Sequence, residues 1–121
     1  VSPLNRILLY ARNMQATAAF YQEHFSFEST GEVVEGLIEL RALNGGAGIL
    51  IHQAAKGVRL GQASVKLMFD VEDVEDFKQA AATRGLKFGS THQANGYTYA
   101  NAKDPDKNSV SISSRAFRKN R

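Results

Sequence analysis

The two halves of this chain repeat one another at an offset of 60 residues, and that repeat limits the possible folds more than any other feature. Arg6-Ile7-Leu8-Leu9 falls on Lys66-Leu67-Met68-Phe69, Asn13 falls on Asp73, and Phe27 falls one position before Phe88. Each half reads strand, helix, then three further strands. A duplicated unit this small cannot cover its own sheet, so the halves are expected to pack as one domain.

Local patterns supply the elements. Residues Arg6–Ala11 form a short apolar run of the buried-strand kind. Asn13 can cap a helix, because its side-chain oxygen accepts from an exposed N–H of the first turn. Met14, Ala18, Tyr21 and Phe25 then share one helical face. Extended segments are expected at 27–33, 37–43 and 48–52, with Asn44-Gly45-Gly46 giving the positive-φ residues of a hairpin. A stretch without period, 53–62, separates the halves.

The second half opens with a strand at 65–71 and a helix capped by Asp73, with Val74, Phe77 and Ala81 facing inward. Gly85 ends that helix where a left-handed turn is cheapest. Strands follow at 87–92, 97–102 and Ser109–Ser113. Asp104-Pro105-Asp106 makes the last turn, with Pro105 setting φ and Asp106 bonding its own backbone. The expected fold is therefore α+β: two βαβββ modules, about 4–53 and 64–114, with their first strands paired. Their curved mixed sheets form a ligand trough, and the helices lie on the convex side.

Composition excludes several function classes. With 121 residues and 43% hydrophobic content the chain can close a core, yet it has no apolar run near the ~20 residues of a membrane span. The absence of cysteine removes disulfides, thiolate metal sites and thiol nucleophiles. The first ten residues lack the basic-then-apolar pattern of an export signal, so a cytoplasmic address is expected. Net charge is +3, part of it in a basic tail at 115–121 carrying Arg115, Arg118, Lys119 and Arg121. No aromatic–basic interleaving of the kind used for stacking on bases surrounds them, so the tail reads as a frayed, solvated end and not as a nucleic-acid contact.

Several motifs together resemble the glyoxalase/bleomycin-resistance/extradiol-dioxygenase superfamily, also called the vicinal oxygen chelate family. They are Phe20-Tyr21 on the first helix, Phe69-Asp70-Val71-Glu72-Asp73 before the second, Gly85 after it, and Asp104-Pro105-Asp106-Lys107-Asn108 before the last strand. The resemblance runs from about Asn5 to Ser114. The family's last turn usually carries glycine where Lys107 stands, and Asn108 is the expected holder of positive φ instead. Metal-dependent members hold a divalent ion with His or Glu at four strand positions. The resemblance places those positions at Arg6, Leu50 (within one residue), Lys66 and Ser111. None is a usual ligand and two are cations, so no metal and no cofactor are expected.

The candidate ligand-binding residues are Arg6, Leu8, Tyr10, Leu50, His52, Lys66, Met68, Tyr97, Tyr99, Asn101, Ser111 and Ser113. Arg6 and Lys66 are equivalent in the repeat, and as a pair they would clamp an anion. Ion pairing to Glu39, Asp70 or Glu72 is the plainer role for them. His52 follows Leu50 on the same strand face, as a base or a hydrogen-bonded strand end. Tyr97, Tyr99 and Asn101 alternate with small residues and offer an aromatic wall for a planar ligand, or a core. Met68 can fill irregular gaps. His24 suits the first helix's C-terminus, and Glu72-Asp73-Glu75-Asp76 suits the second helix's N-terminus.

The leading expectation is a metal-independent protein that binds a small anionic or planar aromatic molecule in the trough. The resemblance adds homodimer formation; no membrane or nucleic-acid partner is expected. One alternative is a lyase, isomerase or dioxygenase with a shifted ion site that recruits His52 and Glu39. Another is an interaction module without a ligand.

Overall fold

The computed structural model describes residues 1–119, so Arg121 of the basic tail lies outside the described residues. The chain divides into two compact units, Val1–Gln62 and Ala63–Arg121. The boundary falls inside the stretch that lacked a period.

The first unit contains β1 (Arg6–Ala11), α1 (Met14–Phe25), β2 (Leu37–Leu40) and β3 (Gly48–Gln53). Its sheet has the order β1-β3-β2, with β1 parallel and β2 antiparallel to β3. α1 begins where expected, because Asn13 Oδ1 accepts from Ala16 N at 3.0 Å. It ends at Ser26, which adopts φ 58°. Tyr21 is wholly buried beside Phe20, Phe25 and Phe27, over a floor of Ile38, Leu40, Ile49 and Ile51. Alternation along each strand sends these residues to the helix side and leaves the other face open.

The second unit contains β4 (Lys66–Asp70), α2 (Val74–Thr83), β5 (His92–Gln93), β6 (Thr98–Lys103) and β7 (Ser109–Ser113), then a 3-10 turn at Arg115–Phe117. The sheet order is β4-β7-β6-β5, with β4 parallel to β7 and the remaining pairs antiparallel. Asp73 caps α2 through Asp76 N at 3.0 Å, and Gly85 leaves the helix at φ 92°. Val110, Ile112 and Ala100 form the buried face with Val74 and Ala81 of α2.

Several expectations are corrected. The strand expected at 27–33 is reduced to isolated bridges, Glu28 with Arg41 and Val34 with Leu37. Ser29 Oγ and Thr30 Oγ1 accept from Gly31 N and Glu32 N, local bonds that compete with a ladder. The strand expected at 87–92 survives only as His92–Gln93, and the strand expected at 97–102 starts at Thr98. Within its own unit β1 joins β3, and within the other β4 joins β7. In the last turn the Asp104 carboxylate organises the backbone. It accepts from Asp106 N, Asn108 N and Asn108 Nδ2. That leaves Lys107 itself at φ 67°, where Asn108 had been expected to take the positive φ.

Candidate functional site

Each sheet keeps one face clear of its helix, and the candidate residues gather there. In the first unit, strand pairing sets Leu8 beside Leu50 and Tyr10 beside His52, with Glu39 and Leu37 continuing the two rows on β2. Leu8 is 42% exposed and Tyr10 53% exposed, which is high for such side chains in a small domain. Tyr10 and His52 meet edge to face at 5.6 Å. His52 Nδ1 lies 2.8 Å from the Gln53 carbonyl oxygen. A carbonyl only accepts, so that nitrogen carries the proton.

Arg6 starts the same face opposite Gly48. With Glu39, Arg41 and Leu50 it lines a recess of about 240 Å³. Beside this recess, and sharing Leu50, lies a cavity of about 840 Å³. Its lining includes Val34, Leu37 and Leu50 together with Glu28, Glu32, Glu35 and Glu39. Sequence reasoning named Leu50 and Glu39 but missed the others. The available signal was four glutamates within 28–39 of a chain with net positive charge.

In the second unit the rows read Lys66–Ser109–Lys103, then Met68–Ser111–Asn101, then Asp70–Ser113–Tyr99–His92. Tyr99 is the centre of this face. His92 packs against its ring at 5.1 Å and Lys66 Nζ lies 5.7 Å from its centroid. The ammonium is attracted by the negative face of the phenol ring. Lys103 Nζ donates to Ser109 Oγ at 2.8 Å. Asn101 Oδ1 is buried without a hydrogen-bond partner. Met68, 58% exposed, leaves a polarizable apolar surface at the edge.

Three candidates have other occupations. Ser111 is wholly buried and donates to the Ala100 carbonyl at 3.1 Å, while Ser113 Oγ accepts from Arg115 N at 3.1 Å. Both hydroxyls thus take part in hydrogen bonds that hold the chain in shape. Tyr97 precedes β6, and the guanidiniums of Arg115 and Arg118 lie 5.9 and 5.6 Å from its ring. The tail is thus fastened through residue 118, against the expectation of a frayed end. Arg6 and Lys66 belong to separate sheets; Glu39 lines the same recess as Arg6, and Asp70 lies on the same face of β4 as Lys66, two rows away. The acidic run at 72–76 caps α2, and Glu75 also accepts from the Thr91 hydroxyl. His24 is buried against Phe20 at 5.0 Å.

Comparison with known proteins gives one family. The model described as Glyoxalase/Bleomycin resistance protein/Dioxygenase superfamily matches residues 4–112. Among curated proteins, none matches the sequence significantly. Solved structures agree on the fold. A lactoylglutathione lyase from Agrobacterium tumefaciens superposes with TM-score 0.72 at 20% identity, covering 93% of each chain. TnmS3, an antibiotic binding protein from Streptomyces sp. CB03234, gives 0.76 at 15% identity, over 93% of this chain and 94% of that one. An integron cassette protein from the mobile metagenome of V. cholerae gives 0.70 at 23% identity, over 93% and 94%. A lyase and a binder resemble the chain about equally, so the reaction must be read from side chains.

The side chains do not fit a divalent ion at the positions the family resemblance assigns. Arg6 and Lys66 are exposed cations, Leu50 is hydrocarbon, and the Ser111 hydroxyl is turned to the sheet's own backbone. Among the described residues, no three of His, Asp or Glu cluster to hold a metal. His52 and Glu39 share a face on neighbouring strands but stand one row apart, with no third ligand beside them.

Proposed function

Because this chain belongs to the glyoxalase/bleomycin resistance protein/dioxygenase superfamily, we propose that it is a binding member. It holds a small planar molecule against its open sheet faces without a metal ion. The observation that carries the reading is the contrast on those faces. The four ion positions offer no usual metal ligand, while exposed Leu8, Tyr10 and Met68 and the half-buried Tyr99 offer flat apolar area. Aromatic and thioether surfaces of that kind bind a ring through dispersion and burial. Arg6 and Lys66 would each take an anionic substituent of the ligand, the first by a planar fork and the second as a point charge. In this reading the protein works in the cytoplasm as a homodimer, the pairing that its family resemblance suggests.

Thermal-shift titration with planar anionic compounds tests the proposal. A ligand at a hundredfold excess over its Kd stabilises the folded state by about 2.7 kcal/mol, raising Tm by roughly 10 °C for a chain of this size. Arg6→Ala and Lys66→Ala should each reduce that rise while leaving the unliganded Tm within ~1 °C, since both side chains are exposed. If no planar compound raises Tm, or both variants keep the full rise, the proposal fails.

A further inference from the structure

We infer that the molecule held on the second module's open face carries a hydrogen-bond donor, an N–H or O–H, for which Asn101 is the acceptor. This rests on the reading that the open sheet faces bind a small planar molecule, and it adds one chemical group that the ligand must have. Asn101 occupies the middle row of the face, opposite Ser111 on β7, with Met68 beyond it on β4. The residue is half-buried, and its Oδ1 is covered from solvent with no hydrogen-bond partner. A carbonyl oxygen that gives up water without a replacement destabilises the folded state, and nearly all such atoms in folded proteins are paired.

The donors around Asn101 are committed elsewhere. Ser111 Oγ, across the strand pair, donates to the Ala100 carbonyl at 3.1 Å. Lys103, in the next row on the same strand, donates to Ser109 Oγ at 2.8 Å. Lys66 Nζ lies over the Tyr99 ring. The backbone leaves no slack either. The Asn101 carbonyl accepts from Gly89 N at 2.9 Å, and β6 is paired with β7 from Tyr99 to Lys103. The strand thus holds the amide in place while its oxygen goes unused. A donor brought from outside the chain completes it.

The same face provides a way in. Lys66 belongs to the first row on β4 and Tyr99 to the third row on β6, so the ammonium and the ring it covers span the middle row between them. An anionic group that draws Lys66 off the ring opens that row. Successive rows stand about 7 Å apart along a strand. Anion and donor therefore belong at opposite ends of a two-ring system, not on neighbouring atoms.

The test compares naphthalene-2-sulfonate with 6-hydroxynaphthalene-2-sulfonate, which differ by one hydroxyl at the far end of the rings. Both are titrated by calorimetry into the wild-type chain and into Asn101→Leu. The wild type should bind the hydroxyl compound about fivefold or more tightly. In Asn101→Leu that preference should shrink to within about twofold, while naphthalene-2-sulfonate keeps its affinity. Without ligand, Asn101→Leu should melt no lower than the wild type and up to about 5 °C higher, because hydrocarbon of the same shape replaces an unpaired oxygen. Asn101→Ala, which is smaller, repeats both measurements in case leucine crowds the face. Equal affinity of the two compounds for the wild type overturns the inference and leaves the parent reading standing. A preference that survives in both variants overturns it as well. So does a Tm lowered by more than about 5 °C in both, which would assign the amide to the fold. If neither compound binds, the inference falls together with the parent reading.

Discussion

The two modules share an element frame and differ in almost everything laid upon it. At equivalent points of the repeat, Asn13 and Asp73 cap the helices in the same way, each accepting from the N–H three residues on at 3.0 Å. Beneath the helices they part. The first module buries the whole ring of Tyr21, and the second has Ala81 at the same repeat position, equally buried. The open faces part further. One is apolar with an acidic cavity; the other centres on Tyr99 with Lys66 and Lys103 in its first row. Duplication thus preserved what local backbone chemistry needs, while the surfaces that meet other molecules diverged. A fold match alone therefore cannot name a ligand, and the side chains on each face must.

The largest break in this comparison should come from Tyr21→Ala, which gives the first module its counterpart's residue. The second module fills that place with a methyl, whereas the first has built Phe20, Phe25 and Phe27 around a ring. A cost of about 3–5 kcal/mol is expected, read as a fall in denaturation midpoint at unchanged slope. A cost under ~1.5 kcal/mol would mean that the aromatic cluster closes over the gap.

Next in size is Asp104→Ala, expected to cost about 2–3 kcal/mol in the same measurement. The buried carboxylate accepts from three N–H donors of the turn. Its repeat counterpart Asn44 sits in a glycine turn at φ 61°, so Asn44→Ala should cost about 1 kcal/mol or less, from backbone preference alone. Equal costs at the two positions would contradict the assignment of different jobs to them.

The cap variants Asn13→Ala and Asp73→Ala sharpen the comparison from the other side. Each should lose about 1 kcal/mol, because the geometry of the two caps is the same. A difference above ~1 kcal/mol would show that the modules do not use the repeat equivalently. The smallest effect is a gain: Lys107→Gly should stabilise by roughly 0.5 kcal/mol, as φ 67° suits glycine and strains lysine.

What was legible in the sequence was local. Both caps, the Gly85 exit, the Asn44-Gly45-Gly46 turn and the helix faces depend on residues within a few positions of one another, and their chemistry is printed in order. The strand expected at 27–33 was not legible, since its alternation competed with Ser29 and Thr30 bonds that only the folded turn reveals. Tyr97 looked like a ligand wall until the tail, eighteen or more residues later, brought Arg115 and Arg118 to its ring. The acidic cavity was hidden for a similar reason. Glu28, Glu32, Glu35 and Glu39 converge only through the bridges of Glu28 to Arg41 and of Val34 to Leu37, and an unpaired charge looks no different on paper from a solvated one.

The central claim is that Arg6, Leu50, Lys66 and Ser111 leave no seat for the divalent ion that metal-dependent relatives carry. Elemental analysis of protein purified without chelator tests it most directly. Zinc, nickel, manganese and iron should together fall far below one per chain and stay there after incubation with each salt and desalting. One divalent ion per chain, retained through desalting and lost with Glu39→Gln or His52→Ala, would contradict it.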